Sequence, residues 1–123
     1  MSYSLKKHEI LRSKKRIQEL FENGSSFFLY PFRVIAIPNT ITENNQALFS
    51  VSKKYYKRAV DRNLIKRRMR EAYRLNKNIL TAKQNHPFSI SIGLVYISKF
   101  KLPYSEIELK LKQVLIRLNK SNH

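Results

Sequence analysis

The 123-residue sequence predicts a single domain of the α+β class, an α/β sandwich in which helices pack against one sheet. Two observations lead to this prediction. Segments with apolar residues at helical spacing alternate along the chain with short runs rich in β-branched and aromatic residues. Hydrophobic residues make up 42% of the chain, which is enough to build one core. The expected order is helix, two or three strands, helix, strand, helix, without an internal repeat or a second domain.

The chain begins with a basic segment, residues 1–12, whose few periodic apolar positions predict an extended arm. The first helix is expected over residues 13–23, with Ser13 as its N-cap and Gly24 directly after its end. One face of this helix is apolar and holds Ile17, Leu20 and Phe21. Its first turn carries three cations although the helix dipole disfavours positive charge there, which suggests an anion opposite Lys14, Lys15 and Arg16.

Three runs rich in β-branched and aromatic residues predict strands over 32–37, 47–52 and 89–97. Pro38 is expected to end the first of them, because proline has no N–H to donate to a sheet. A further short strand over 27–30 is compatible with the same pattern.

Two more helices complete the expected order. One is predicted over 58–77, between the second and third of these strands. The last begins with a capping-box pattern in which Ser105 is the N-cap and Glu108 reaches back to it. Its core-facing stripe is Ile107, Leu111, Val114, Leu115 and Leu118.

The charge of the chain restricts its partners. Twenty-five Lys and Arg stand against 8 Asp and Glu, a formal net charge of +17. Nucleic acid is the first candidate partner, since each neutralised phosphate releases a counterion, and an anionic membrane is the second. The absence of cysteine excludes disulfides and thiolate metal sites. No segment has the pattern of a signal peptide or a membrane span, so we expect a cytoplasmic protein.

The positive charge is concentrated around the second helix. Residues 53–74 contain ten cations and two acids. On a helical wheel with Arg62 at zero, an arc between about 40° and 140° is almost purely cationic, and the arc beside it is apolar. The cationic arc holds Asn63, Lys66, Arg67, Arg70 and Arg74, whereas the apolar arc holds Ile65, Met69, Ala72 and Tyr73. Arg68 lies outside the cationic arc.

Such a run of charge is ordinarily a solvated helix face, but here the acids that usually interleave with it are missing. Like charges four residues apart destabilise a helix by a few tenths of a kcal/mol per pair, which favours a polyanionic partner. RNA is preferred to DNA because Asn63 can both donate and accept, which suits ribose hydroxyls. Nearby aromatics could stack on unpaired bases or equally belong to the core: Phe27, Phe28, Tyr30, Tyr55 and Tyr56.

The basic segment has a recognisable spacing. Lys53-Lys54, Arg58-Ala59, Arg62-Asn63-Leu64-Ile65-Lys66-Arg67 and Arg70-Glu71 closely resemble the signature of the bacterial ribonuclease P protein family. The strand leading into the signature, residues 49–54, is also similar to the family. The resemblance continues upstream through residues 11–15, Phe21 and Gly24, so that it covers most of residues 5–76.

The resemblance implies a fold, a partner and a reaction. The fold has a left-handed strand–helix–strand crossover through residues 58–77, similar to the second domain of a ribosomal protein, where general rules favour a right-handed one. The partner is the catalytic ribonuclease P RNA, which uses Mg²⁺ to remove the 5′ leader of precursor tRNA. RNA contacts are expected from Lys53, Lys54, Arg58, Arg62, Asn63, Lys66, Arg67, Arg70 and, on the same cationic face, Arg74. A cleft for the single-stranded leader is expected to be lined by Lys14, Lys15, Ile17, Phe21, Ile35, Ser50 and Ser52.

The chain departs from the family pattern at three positions: Leu64 replaces a usual Arg, and Ile17 and Ile35 replace aromatics. Weaker RNA or leader binding is expected there. No catalytic or metal site is expected in the protein, because the eight acids are scattered and there is no Gly-rich phosphate loop. Two alternatives stay open: a structural RNA-binding protein of ribosomal type without a role in cleavage, and an enzyme that acts without RNA.

Overall fold

The computed structural model describes residues 5–39, 44–81 and 89–121 and forms one sheet with helices on both of its faces. The described part of the chain confirms the α+β class and every predicted element. In chain order these are α1 (Lys14–Asn23), β1 (Ser25–Leu29), β2 (Phe32–Asn39), β3 (Gln46–Val51), α2 (Ala59–Asn76), α3 (Asn78–Thr81), β4 (Ser89–Tyr96) and α4 (Tyr104–Ser121).

The four strands are arranged in the order β1-β2-β4-β3. Neighbouring strands are antiparallel except β3 and β4, which are parallel. Because parallel neighbours cannot be joined by a hairpin, the chain crosses from β3 to β4 through α2. The crossover itself is therefore confirmed, whereas its left hand stays a prediction.

The sheet has a core on each face. The larger core lies between the sheet and the helices α2 and α4, and it contains Phe32, Leu94 and Tyr96 from the strands. The smaller core lies under α1 and consists of Leu11, Leu20 and Ile35. Since both faces of the central strands are covered, β4 is buried along most of its length. None of the helices within the described residues is both long and apolar enough to cross a membrane.

Two predictions about where elements end or begin were wrong. β2 continues through Pro38, because β1 begins at Ser25, opposite Ala36, so that beyond Ala36 one side of β2 has no neighbouring strand. The last helix begins at Tyr104, and Glu108 accepts from the Tyr104 hydroxyl and from Asn76 rather than closing a capping box.

Gly24 does follow α1, but its φ of −72° is not left-handed. Glycine is required for space, because a Cβ there would lie 2.5 Å from the Leu20 carbonyl oxygen and 2.6 Å from Ile35 Cγ2. Ser13 is the N-cap as predicted, since its Oγ accepts from the backbone N–H of Arg16 at 3.4 Å.

The N-terminal segment lies against the domain instead of extending away from it. Residues 7–9 form a 3-10 turn, and Ile10 then makes a parallel bridge to Ala47 on β3. The backbone N–H of Leu11 donates to the Ala47 carbonyl at 2.9 Å. The segment thereby covers part of the exposed edge of β3. The first four residues of the expected arm lie outside the described residues.

Candidate nucleic-acid interface

The helix α2 presents the two faces that its sequence predicts. Ile65, Met69, Ala72 and Tyr73 are buried in the larger core. Burial among apolar side chains raises the pKa of the Tyr73 hydroxyl far above its ordinary value, so this residue is a neutral core member. The apolar face fixes the rotation of α2 about its axis, and that rotation turns the cationic arc outward.

The cationic arc opens onto a groove of about 600 Å³, which we call the α2 groove. One wall is α2 itself and the other is formed by β3 and the N-terminal segment. Its lining residues are Leu5, Ile10, Leu48, Phe49, Asn63, Lys66, Arg67, Arg70, Glu71 and Arg74. All five residues of the predicted cationic arc are therefore brought together in one concave surface, with four cations against one carboxylate.

Glu71 partly compensates this charge. Its carboxylate forms an ion pair with Arg74, including a second hydrogen bond from Arg74 Nε at 3.2 Å. The hydrogen bond from Arg74 lowers the pKa of Glu71 below its usual value. Lys66, Arg67 and Arg70 make no ion pair with any residue that the structure describes. These three cations are available to an anionic ligand.

Arg62 is placed differently from its neighbours on the wheel. Its Nη1 donates to the carbonyl oxygens of Tyr56 at 2.8 Å and Lys57 at 2.7 Å. Part of its hydrogen-bonding capacity therefore holds the β3–α2 loop. Arg68, predicted to lie off the cationic arc, donates to the Leu102 carbonyl at 2.7 Å and ties α2 to the segment before α4.

The remaining predicted RNA-binding cations lie at the start of α2. Lys53, Lys54 and Arg58 are exposed in or next to the β3–α2 loop. Lys54 Nζ lies 5.5 Å from the centre of the Tyr55 ring, an exposed aromatic. These residues extend the positive surface beyond the end of the α2 groove.

An ion pair holds the outer wall of the groove. Lys77 Nζ lies 2.8 Å from Glu9 Oε1 and 2.9 Å from Oε2, and the backbone N–H of Lys6 also donates to Glu9 at 2.8 Å. Burial alone would raise the pKa of Glu9, but these hydrogen bonds outweigh it and the pKa lies below its ordinary value. Leu5 and Ile10, from the same N-terminal segment as Glu9, line the groove on this side. Sequence reasoning missed them because two isolated apolar residues carry no periodic signal.

The predicted leader-cleft residues separate into surface and core. Lys14, Lys15 and Phe21 are exposed on α1, and Ser50 and Ser52 are partly exposed at the end of β3. Ile35, however, is 1% exposed and packs in the small core under α1. The placement of Ile35 in the cleft lining is corrected: it supports this surface from below. Ile17 is half-buried and packs on the same core.

The aromatic residues also divide into two groups. Tyr56 is buried, and the half-buried Phe27 packs on the larger core with the Arg117 guanidinium 4.0 Å above its ring. Phe28, Tyr30 and Tyr55 are exposed. Only the second group can meet a base without a change in the core.

Glu9, Asp61 and Glu71 each form an ion pair with a different cation. Besides Glu9 and Glu71, Asp61 accepts from Lys101 Nζ at 2.7 Å, and this hydrogen bond lowers the pKa of Asp61. Within the described ranges, no three His, Cys, Asp or Glu residues come together in a group able to hold a metal ion.

The fold and the α2 groove define a small basic α+β protein whose concave surface suits a polyanion. The family model described as Ribonuclease P matches residues 5–119. The ribonuclease P protein component of Porphyromonas gingivalis is 34% identical over 122 residues, 95% of this chain and 88% of that protein. The ribonuclease P protein component of Chlorobium phaeobacteroides is 36% identical over 126 residues, 94% of this chain and 85% of that protein.

Solved structures have the same fold. The RNase P protein of Staphylococcus aureus has a TM-score of 0.71 at 23% identity, covering 94% of this chain and 98% of that one. The protein from Thermotoga maritima has a TM-score of 0.71 at 24% identity, covering 89% and 96%. The chain belongs to the ribonuclease P protein family and is a protein subunit of that tRNA-processing endoribonuclease.

Proposed function

We propose that the chain binds the catalytic ribonuclease P RNA through the α2 groove and thereby assists removal of the 5′ leader from precursor tRNA. The observation that carries the proposal is the concentration of Lys66, Arg67 and Arg70 in one groove without an ion-pair partner among the described residues. Each cation that contacts a phosphate releases a counterion, so a rigid row of them favours a folded polyanion. Asn63, in the same groove, adds a donor and an acceptor for ribose hydroxyls.

The leader of precursor tRNA is proposed to lie on the face of the sheet that carries α1, between α1 and the exposed end of the sheet. Lys14 and Lys15 supply positive charge there, and Phe21, 42% exposed, supplies a ring for stacking. Ser50 and Ser52 supply hydroxyls from the end of β3. This arrangement suits a single strand, because unpaired bases present the faces on which aromatic rings stack.

The chemistry is assigned to the RNA partner. Hydrolysis of a phosphodiester bond by Mg²⁺ would use metal ions held by the RNA, and the protein's part is to bind and orient the two RNAs. The acids of the protein are consistent with this division of roles, since Glu9, Asp61 and Glu71 each form an ion pair with a Lys or Arg side chain. We expect the complex to act in the cytoplasm.

The test is reconstitution with a bacterial ribonuclease P RNA at low Mg²⁺, measuring cleavage of precursor tRNA with and without the protein. Stimulation by the protein is expected, and no stimulation over RNA alone would contradict the proposal. The competing function, a structural RNA-binding protein of ribosomal type, predicts binding without any effect on cleavage. Cleavage by the protein in the absence of RNA would instead show that it carries its own active site.

A further inference from the structure

The sheet face that carries α1 is built from cross-strand rows of side chains. Ser26, Ile35, Gly93 and Leu48 lie directly opposite one another across β1, β2, β4 and β3. The centre of this row is closed by α1, since Ile35 is buried and a Cβ at Gly93 would lie 3.1 Å from Leu20 Cδ2. A ligand therefore cannot reach the sheet at Ile35 and Gly93, in the middle of this row.

The next row on the same face, towards the C-terminal end of β3 and β4, keeps all four of its residues at least partly exposed. It consists of Phe28, Arg33, Val95 and Ser50, again directly opposite one another across the four strands, and we call it the open row. Because strands lie about 4.8 Å apart, the open row spans about 14 Å from Ser50 to Phe28. It begins two residues along β3 from Leu48, which lines the α2 groove.

Phe28 and Arg33 have unusual surroundings. Phe28 is 67% exposed, the largest fraction for any large hydrophobic residue in the described ranges. Arg33 is half-buried and makes no hydrogen bond or ion pair with a described residue. Directly opposed residues on antiparallel strands have Cβ atoms about 5 Å apart, so Phe28 and Arg33 project from neighbouring positions on this face.

We propose that Phe28 and Arg33 bind one unpaired nucleotide of the precursor tRNA leader, with the ring stacked on the base and the guanidinium bound to the phosphate. The site rests on the proposed function and adds a contact at the β1 edge, beyond the residues that line the α1 cleft. A neighbouring cation makes a nucleotide the favoured occupant over an apolar peptide, because a peptide would leave Arg33 without a counter-charge. Since the pair stands at the far end of the open row from Ser50, only a leader long enough to cross the sheet would reach it.

The test uses the protein reconstituted with ribonuclease P RNA and two precursor tRNAs, one with a long leader and one with its leader trimmed to a single nucleotide. Phe28→Ala is expected to weaken binding of the long-leader precursor by about 5- to 20-fold, the effect of losing one stacked base. Binding of the trimmed precursor and of ribonuclease P RNA should not change. Phe28→Trp should restore long-leader binding, whereas Phe28→Leu should not, because stacking requires a flat ring.

Phe100→Ala is the matched control. Phe100 is 60% exposed and has Lys99 Nζ 5.4 Å from its ring centre, but it lies in the loop before α4 and outside the open row. Phe100→Ala is expected to bind both precursors like the unmodified chain, and thermal unfolding should show that both variants fold. An equal loss for both precursors, an equal loss in both variants or no loss in Phe28→Ala would overturn the inference.

Arg33→Gln tests the phosphate contact separately. Its expected effect is a salt dependence of long-leader binding that is lower by about one unit, with no change for the trimmed precursor. An unchanged slope would remove Arg33 from the site. If the unmodified chain itself neither binds ribonuclease P RNA nor stimulates cleavage, the proposed function fails, which is a different result from an inert Phe28 in a working complex.

Discussion

The α2 groove and the open row differ in where their ligand-binding side chains come from. The groove takes all four of its lining cations, Lys66, Arg67, Arg70 and Arg74, from the helix α2, so one apolar face orients them all. The open row takes one residue from each of four strands, and its geometry depends on the pairing of segments that are far apart in sequence. A surface whose side chains all come from one helix should tolerate loss of tertiary contacts better than a surface whose geometry depends on strand register.

The largest expected effect comes from breaking the contact between α1 and the sheet. Leu20 is fully buried between Leu11 and Ile35, so Leu20→Ala should lower the free energy of unfolding by about 2–5 kcal/mol in chemical denaturation. The folded fraction should keep its affinity for ribonuclease P RNA and lose discrimination between long and trimmed leaders. Leu109→Ala, at a half-exposed leucine of α4, is the control and should change stability by less than about 0.5 kcal/mol. Equal losses of stability in the two variants would contradict the two-core description.

The second-largest effect is expected on RNA affinity, when two cations of the α2 groove are removed. Lys66→Ala combined with Arg70→Ala should weaken binding of ribonuclease P RNA at least 10-fold and lower its salt slope by about two units. These two residues are preferred to Arg62, because removing Arg62 would also release the carbonyls of the β3–α2 loop. Lys112→Ala combined with Lys120→Ala, at two exposed positions of α4, is the control for the loss of two positive charges. Affinity and slope equal to those of this control would mean that the groove is not the RNA-binding surface.

A smaller effect is expected from the ion pair that holds the outer wall. Since the pKa of Glu9 is lowered in the folded protein, the pair stabilises the fold above the ordinary carboxyl pKa, and this contribution is lost as the pH falls through the folded-state pKa. Glu9→Gln should therefore lower the Tm by a few degrees at neutral pH, and the difference should disappear in acid. Thermal unfolding of Glu9→Gln and of the unmodified chain as a function of pH measures this difference in Tm. A difference that persists in acid would show that the pair does not depend on the Glu9 charge.

The smallest expected effect is an increase in affinity for ribonuclease P RNA. Glu71→Gln removes the only carboxylate among the described residues that line the α2 groove, and it releases Arg74 from its ion pair with Glu71. Affinity for ribonuclease P RNA should rise about 2- to 5-fold at low salt, with a smaller rise at high salt because ions screen the added attraction. Glu106→Gln, which removes an exposed acid at the start of α4, is the control. Weaker binding by Glu71→Gln would indicate that the carboxylate itself orients Arg74 on the RNA.

Much of the candidate site was predictable, and the parts that were not have a common cause. The wheel placed Asn63, Lys66, Arg67, Arg70 and Arg74 on one arc, and the structure brings these five into one groove. The pattern did not indicate that Leu5 and Ile10 form the opposite wall, because that contact depends on Glu9 meeting Lys77 from the far end of α2. Ile35 was expected at a surface and is buried, since strand alternation does not say which helix covers a face.

The sequence by itself determined the class of fold, the order of its elements and the cationic face of α2, because helical and strand periodicities are local and repeat every few residues. Only the tertiary structure decided which segments close the groove and which row of the sheet stays open. Those outcomes depend on strand register and on the packing of α1, and a shift of one residue in either would place different side chains at the surface.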